Sequence, residues 1–529
     1  MSYYSLRYLF VFLPISVLIY RIIPKKFRYI FLLLISLGFF MLSSRKKLFV
    51  IIFLILSILS IYISARLMSK VDKKRDLALE KIEKEEKKKL KEKYKRRKKV
   101  ILVLTIIFNV AFLFAFKYLK FFTININALM DILHFNHKIP FFKLLAPIGI
   151  SFYTLTALSY IIDVYNNKIE AEKNILKIAL YVSFFPQIVE GPINSYSKDT
   201  QTLFEGNTVD FKGFCFGYQR IIYGLFKKIV IADRLNFAVG EIFKGYATMS
   251  GMTCAFGVVA YTIMLYMEFS GTMDIVLGSA ELFGVKLPEN FRQPFFSKNV
   301  SEFWTRWHIS LGNWFKNYIF YPVSLSKKMK KLTISARKKL GNHFGPLISG
   351  AVALFAVWSL NGLWHGAGWP FLLFGMYHFV MILLGNIFEP YIIKLCDKLH
   401  INRKNIFYRI FQSVKMTIFI FIGELFFRAP TVEVGFKMLG KIFTNFTFKM
   451  SEFARLNLDV YDYIVLFLSL IFIFVIGLLK EKNVNIREEI SKKNIVLRWT
   501  LYYALIMAIL IFGAYGTGYV PVDPIYSDF

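Results

Sequence analysis

The residues best suited to chemistry in this chain are histidines embedded in apolar, aromatic sequence, and His365 is the foremost. It lies in SLNGLWHGAGW, Ser359 to Trp369, where Asn361, His365 and three glycines interrupt apolar sequence. Glycines let backbone or a ligand approach closely and permit a broken helix. An ionisable side chain at membrane depth is costly unless partnered, so it points to a function by default. Imidazole, with a free pKa near 6.5, accepts and returns a proton near neutral pH.

A second constellation is NVSEFWTRWHISL, Asn299 to Leu311. An asparagine followed three residues later by glutamate is a capping-box arrangement, so a helix should start there. Spacing then puts Phe303, Trp307 and Leu311 on one face, with Trp304 and His308 on a neighbouring one. With Arg306 and Lys316, such an aromatic helix fits a membrane interface. From this segment alone His308 reads as readily as a histidine bonded within an aromatic interface as a functional one.

The remaining histidines offer less. His134 and His137 have a metal-compatible spacing but no third ligand, so no metal site is expected. His343 and His400 lie in or near basic segments, and His378, on the helix after His365, either turns toward that site or packs. Cys215, Cys254 and Cys396 are far apart and read as packing residues. No serine or cysteine stands in a nucleophile elbow and no glycine-rich phosphate loop is present, which favours direct, base-assisted acyl transfer over a covalent hydrolase.

The elements that must position these residues are membrane helices. The chain has 529 residues, 56% hydrophobic and 18% aromatic, with a mean hydropathy of +0.49, far above a soluble domain. Runs such as 48–67, 100–116, 252–269, 464–479 and 501–515 approach the ~20 residues that cross a bilayer. With shorter, polar-interrupted runs they suggest an all-α polytopic protein of roughly 10 to 13 membrane segments. The first run, 6–23, lacks a small-residue cleavage site and reads as membrane structure rather than a signal peptide.

A net charge of +34 would suit nucleic acid, but the basic residues sit in short blocks between apolar runs, the pattern of cytoplasmic loops. No nucleic-acid partner is expected. The stretch 70–99 reads as a solvated cytoplasmic helix or loop, and 327–339, the stretch around Arg403 and Lys404, and 480–493 read as loops on the same side. Pairs of apolar runs between them place the turn bearing His365 toward the opposite face. Arg45, Lys46 and Lys47 fit that count less well, so one early run is expected to be re-entrant or interfacial. The chain reads as one integral membrane unit over 1–529, with its catalytic core in 288–380.

At this point the sequence resembles the membrane-bound O-acyltransferase (MBOAT) family, in its branch of alginate O-acetyltransferase-like proteins, related to the teichoic acid D-alanyl transfer protein. The resemblance rests on GISFYTLTALSYIIDV from Gly149, FPQIVEGPI from Phe185, GLFKKIVIADRL from Gly224, PENFRQPFFSKNVSEFWTRWHISL from Pro288 and NGLWHGA from Asn361. Phe426 to Ala429 and the ending Asp523, Pro524, Ile525, Tyr526 are similar too. Thr305 and the segment Glu268 to Asp274 depart from the usual pattern.

The resemblance implies a helical fold around a central tunnel or funnel, with His365 as general base and His308 as the second functional polar position. It implies an acyl thioester donor such as acetyl-coenzyme A from the cytoplasmic side, with no bound cofactor. The acceptor would be a hydroxyl of a cell-surface polysaccharide or peptidoglycan outside a bacterial cytoplasmic membrane, reached through an extracytoplasmic partner protein. Asn361, Trp304, Trp307, Trp364 and Arg306 would bind substrate or line the passage. D-alanyl transfer to teichoic acid and a transporter or flippase remain the alternatives, the latter lacking the paired broken helices of two matching halves.

Overall fold

A computed structural model describes every residue except 45–47, 82, 84–85, 136, 142–143, 145, 198, 516–518 and 520–529. The charges at 45–47 and the similar ending at 523–526 therefore lie outside the described residues. Among those described there is no β-strand, only an isolated bridge between Phe291 and Trp307. Among the described residues nine helices are long and apolar enough to cross a membrane, so the chain is an all-α, multi-pass membrane protein. The shorter runs counted from sequence include Ile150–Tyr165, an apolar helix of 16 residues below spanning length.

The chain divides into two compact units, Met1–Tyr218 with Val276–Pro288, and Gln219–Ile275 with Glu289–Ile525. In the first, helix α1 (Ile51–Glu80) and helix α2 (Lys87–Leu113) pack together and against α3 (Ile150–Tyr165). Without a hydrophobic drive between helices in lipid, polar clamps fix such pairs. Ser57 Oγ donates to Asn109 Oδ1 at 2.6 Å, Asn109 Nδ2 donates to Ser60 Oγ at 2.9 Å and Thr105 Oγ1 donates to Ser64 Oγ at 2.7 Å.

The stretch 70–99 is not one solvated helix. Its described residues include the charged end of α1 and the charged start of α2. Lys98, almost fully buried, donates to Asp72 at 2.6 Å and to Asn167 Oδ1 at 2.9 Å. Pairing of the apolar halves brings the charged halves together, and that ion pair sets their register.

The second unit carries the candidate site. In chain order its relevant helices are α4 (Gly251–Leu282, whose residues from Val276 on lie in the first unit), α5 (Val300–Arg306), α6 (Ile309–Phe315), α7 (Lys327–His365), α8 (Trp369–Lys398), α9 (Ile406–Arg428), α10 (Val460–Glu481) and α11 (Ile495–Phe512). The basic run 327–339, expected as a loop, is instead the first arm of α7. Gly341 at φ 78° breaks that helix, and Thr333 Oγ1 donates across the bend to Ser349 Oγ at 2.7 Å. The basic stretch 480–493 likewise contains a short helix, Ile486–Ser491.

Helices α7 and α8 form the principal hairpin of this unit. Their approach depends on missing side chains: a Cβ on Gly375 would lie 2.3 Å from the Trp358 carbonyl oxygen, and one on Gly362 2.5 Å from that of Phe371. Backbone contact at such distance excludes even alanine. Gly375→Ala is accordingly expected to force the hairpin apart and cost about 1–3 kcal/mol, the usual penalty of overpacking, read as a lowered thermal midpoint of the solubilised protein.

Candidate active site

The segment that should have been one helix from Asn299 to Leu311 is two. Its start is as expected: Asn299 Oδ1 accepts from the Glu302 amide at 2.8 Å. The reciprocal half differs, since Glu302 accepts from the Lys298 amide at 2.9 Å rather than from the capping residue. The helix ends at Arg306, Trp307 is extended, and His308 sits at φ 48°, ψ 50° before α6 begins. A left-handed non-glycine residue is uncommon and costs on the order of 1–3 kcal/mol, and such strain persists where the surroundings over-determine it.

Those surroundings are the extended residues 290–292. Asn290 accepts the Ile309 amide on its carbonyl at 3.0 Å and the Ser310 amide on its side-chain oxygen at 3.0 Å, while the Arg292 amide donates to the Arg306 carbonyl at 2.9 Å. The chain leaves the helix because a segment distant in sequence supplies a donor for the carbonyl before the break and acceptors for the amides after it. As a result Trp304 and His308 do not share a face. Trp304 turns to His378 and Trp358 at ring distances of 4.8 and 4.9 Å, whereas His308 meets Phe269 at 4.8 Å and Trp364 at 5.7 Å.

His365 is the last residue of α7, followed by extended Gly366. Its imidazole packs edge-on against Trp364 at 5.1 Å, Phe427 at 5.1 Å and Phe374 at 5.8 Å. Trp364 thus touches both His308 and His365, residues 57 positions apart that local sequence could not bring together. Both imidazoles are almost fully buried, at 3% and 5% exposure. Burial pushes the His308 imidazole down to about 3, a backbone hydrogen bond offsetting only part of this, so it is neutral at ordinary pH. One helical turn before His365, Asn361 is also buried, and its Oδ1 has no hydrogen-bond partner among the described residues. A buried unsatisfied carbonyl oxygen costs about 1–3 kcal/mol, and at this spot it is available to a donor on a bound molecule.

Two expected substrate residues are used otherwise. Arg306 is held by Glu302 at 2.7 Å and Glu481 at 2.8 Å. Trp307 stacks on Phe303 and packs against Tyr266, Phe291 and Phe295. The stacking of Trp307 on Phe303 is the contact their spacing suggested, and Arg306 with Glu302 is an i,i+4 pair within the helix.

His378, which the sequence left undecided, belongs to the site's wall. It is fully buried, Trp304 Nε1 donates to its Nδ1 at 3.3 Å, and Phe374 packs against both it and His365. Accepting at Nδ1 places the proton of the neutral ring on Nε2, which faces Gly423, where a Cβ would lie 2.5 Å away. The i, i+4 spacing of Phe374 and His378 was the available signal. Among the described residues no group of three or more histidine, cysteine, aspartate or glutamate side chains is placed to hold a metal ion. His343 bonds the Asn386 carbonyl at 3.0 Å, and His134 and His400 occupy left-handed helix ends.

Comparison with known proteins gives a consistent result. The family model described as membrane-bound O-acyltransferase matches residues 169–337. The probable alginate O-acetylase AlgI of Pseudomonas putida is 30% identical over 372 residues, 69% of this chain and 69% of that protein. The protein of the same description from Pseudomonas aeruginosa is 28% identical over 93% of this chain and 84% of its own length. The peptidoglycan O-acetyltransferase of Helicobacter pylori is 30% identical over 64% of this chain, which spans 63% of that relative's length.

The indole-to-imidazole bond defines how the wall of the site is set. Trp304→Phe keeps the ring contacts and removes the donor, so it is expected to lower stability by about 0.5–1.5 kcal/mol, the net value of one hydrogen bond. Trp304→Ala also empties the space between Trp358 and His378 and should cost about 3–5 kcal/mol. Chemical denaturation of the two variants in detergent measures both, and equal losses would remove the special part assigned to the N–H.

Proposed function

This chain belongs to the membrane-bound O-acyltransferase family, and we propose that it carries an acetyl group from a cytoplasmic thioester, acetyl-coenzyme A or a similar donor, to hydroxyls of a cell-surface polymer. The observation that supports a single site for this chemistry is the contact of Trp364 with both His308 and His365, beside the unsatisfied oxygen of Asn361.

In the proposed reaction His365 takes the proton of the acceptor hydroxyl as its oxygen attacks the thioester carbonyl. The new carbon–oxygen bond forms, the carbon–sulfur bond breaks, and the proton passes to the departing thiolate. General base assistance of this kind is worth about 10²- to 10⁴-fold in rate. His308 and Asn361 orient the base or polarise the carbonyl, and Trp304 and Trp364 keep the passage dry, where electrostatic help exceeds that in water. A proton acceptor at the end of a helix, with its ring edges packed, has few ways to stray from the attacking hydroxyl.

The basic segments and the positive-inside rule support an orientation with those segments in the cytoplasm, and the bacterial relatives support a bacterial cytoplasmic membrane with the donor inside and the acceptor outside. The polymer and the extracytoplasmic partner that modifies it are proposed by analogy with the named relatives: alginate is the substrate named for two of them and peptidoglycan for the third.

The decisive measurement is the ester content of the isolated cell envelope, released by mild alkali from cells making the wild type or His365→Ala at matched membrane abundance. Loss of acetate in the variant, by about 10²-fold or more if the base term dominates, is the expected outcome. Loss of D-alanine would instead indicate teichoic acid as acceptor, and unchanged esters would remove His365 from catalysis.

A further inference from the structure

Apart from the histidines, the second unit contains a cavity of about 1370 Å³ between α10, α11, residues 219–227, the middle of α4 and the segment 289–293. Its lining is apolar along the middle, with Arg234, Asp459 and Asp462 at one end and a basic cluster at the other. Ile464, Leu468, Phe472 and Ile476, at successive turns of α10, face Leu501, Leu505 and other apolar residues of α11. From Ile464 to Ile476 the apolar stripe runs about 18 Å at 1.5 Å per residue, close to half of a ~30 Å hydrocarbon core. The stripe therefore has the depth of one leaflet.

At the C-terminal end of α10 the lining turns basic: Arg220, Lys227, Arg292, Lys480 and Arg487 stand against the carboxylates Asp274 and Glu289. Asp274 is taken by Lys227 at 2.5 Å and Arg220 at 3.1 Å, and Glu289 by Arg220 at 2.6 Å. Lys480 lies over the Tyr223 ring at 5.1 Å and also acts on Asp274, but five cations meet only two carboxylates here, so this end keeps an excess of positive charge. This end leads into the basic stretch 480–493, the side that the positive-inside rule assigns to the cytoplasm.

An apolar slot one leaflet deep, ending in an excess of cations on the side of the basic stretch, is complementary to an amphiphile with an anionic head. We infer that the cavity binds an anionic phospholipid of the cytoplasmic leaflet, its phosphate on Lys480 and Arg292 and an acyl chain along the α10–α11 stripe. Basic pockets between membrane helices on the cytoplasmic side suit phosphate head groups, and the length of the apolar lining favours a lipid over a soluble phosphate. Asn290 to Arg292, which form part of this wall, are the residues that hold His308 in its left-handed conformation, so the lipid buttresses the site from behind. The inference does not depend on acyl transfer.

The test is native mass spectrometry of the full-length protein in detergent with added phosphatidylglycerol. One retained phosphatidylglycerol per chain is expected for the wild type. Retention should fall at least ten-fold in Lys480→Glu with Arg292→Glu, or in the milder Lys480→Gln with Arg292→Gln if the first is unstable. It should persist in Lys338→Glu, an exposed lysine of another basic segment, and neither phosphatidylcholine nor inorganic phosphate should displace the lipid. Undiminished retention in both double variants, equal loss in Lys338→Glu, or displacement by acetyl-coenzyme A would overturn the proposal, the last by giving the cavity to the thioester donor.

Discussion

The geometry of the site depends on Asn290. Its carbonyl and side-chain oxygens take the two amides that follow His308, and without them the chain has no reason to abandon the helix at Arg306. Two hydrogen bonds of about 1 kcal/mol each are comparable with the cost of a left-handed histidine, so the strained conformation is balanced rather than merely tolerated. That balance sends His308 to Phe269 and Trp364 and Trp304 to His378, which makes one wall of the site from residues that a continuous helix would have stacked side by side.

This is also where reading the sequence fails and why. Helix starts are local events, decided within three residues, and Asn299 and Glu302 announced theirs. The end at Arg306 is decided by residues about 15 positions upstream, and no period or propensity within Val300 to Leu311 encodes it. The same division explains His365 and His378. Glycines around His365 marked a helix end in the sequence, and the helix does end there. That His378 would face Trp304 depended on how α8 rotates against α5, which spacing alone leaves open. Arg306 and Trp307 adjoin the site in sequence, and the partners they find, Glu302 and Glu481 for the guanidinium, lie on elements whose meeting no local spacing encodes.

Charge accounts for the rest of the second unit. Lys227, Lys228, Asp233, Glu268 and Asp274 are all buried, and single ions there would be prohibitively costly. They occur as pairs: Lys227 with Asp274, and Lys228 with Asp233 and Glu268. Breaking one member of such a pair is far more damaging than replacing both, because an uncompensated charge remains. The spacing of these residues in GLFKKIVIADRL and in Glu268 to Asp274 therefore fixes the packing of residues 224–235 against α4. Phe269, on that same stretch of α4, is the ring against which His308 rests.

The contrast between the two histidines bears on which can act as a base. His308 is fixed at its backbone by three flanking hydrogen bonds and wedged between Phe269 and Trp364. His365 is fixed by its place on α7 and by ring edges, and only Gly366 follows it before the chain turns. A base must meet a hydroxyl and then release the proton, so it needs a ring nitrogen that an incoming molecule can reach. At Gly366 the missing side chain is what lets the Phe371 ring pack, 2.2 Å from where a Cβ would stand, while the residues after His308 are already committed to Asn290. In the proposed mechanism His365 exchanges the proton and His308 holds the geometry, and the two backbones are anchored differently, one by a helix end and the other by the bonds to Asn290.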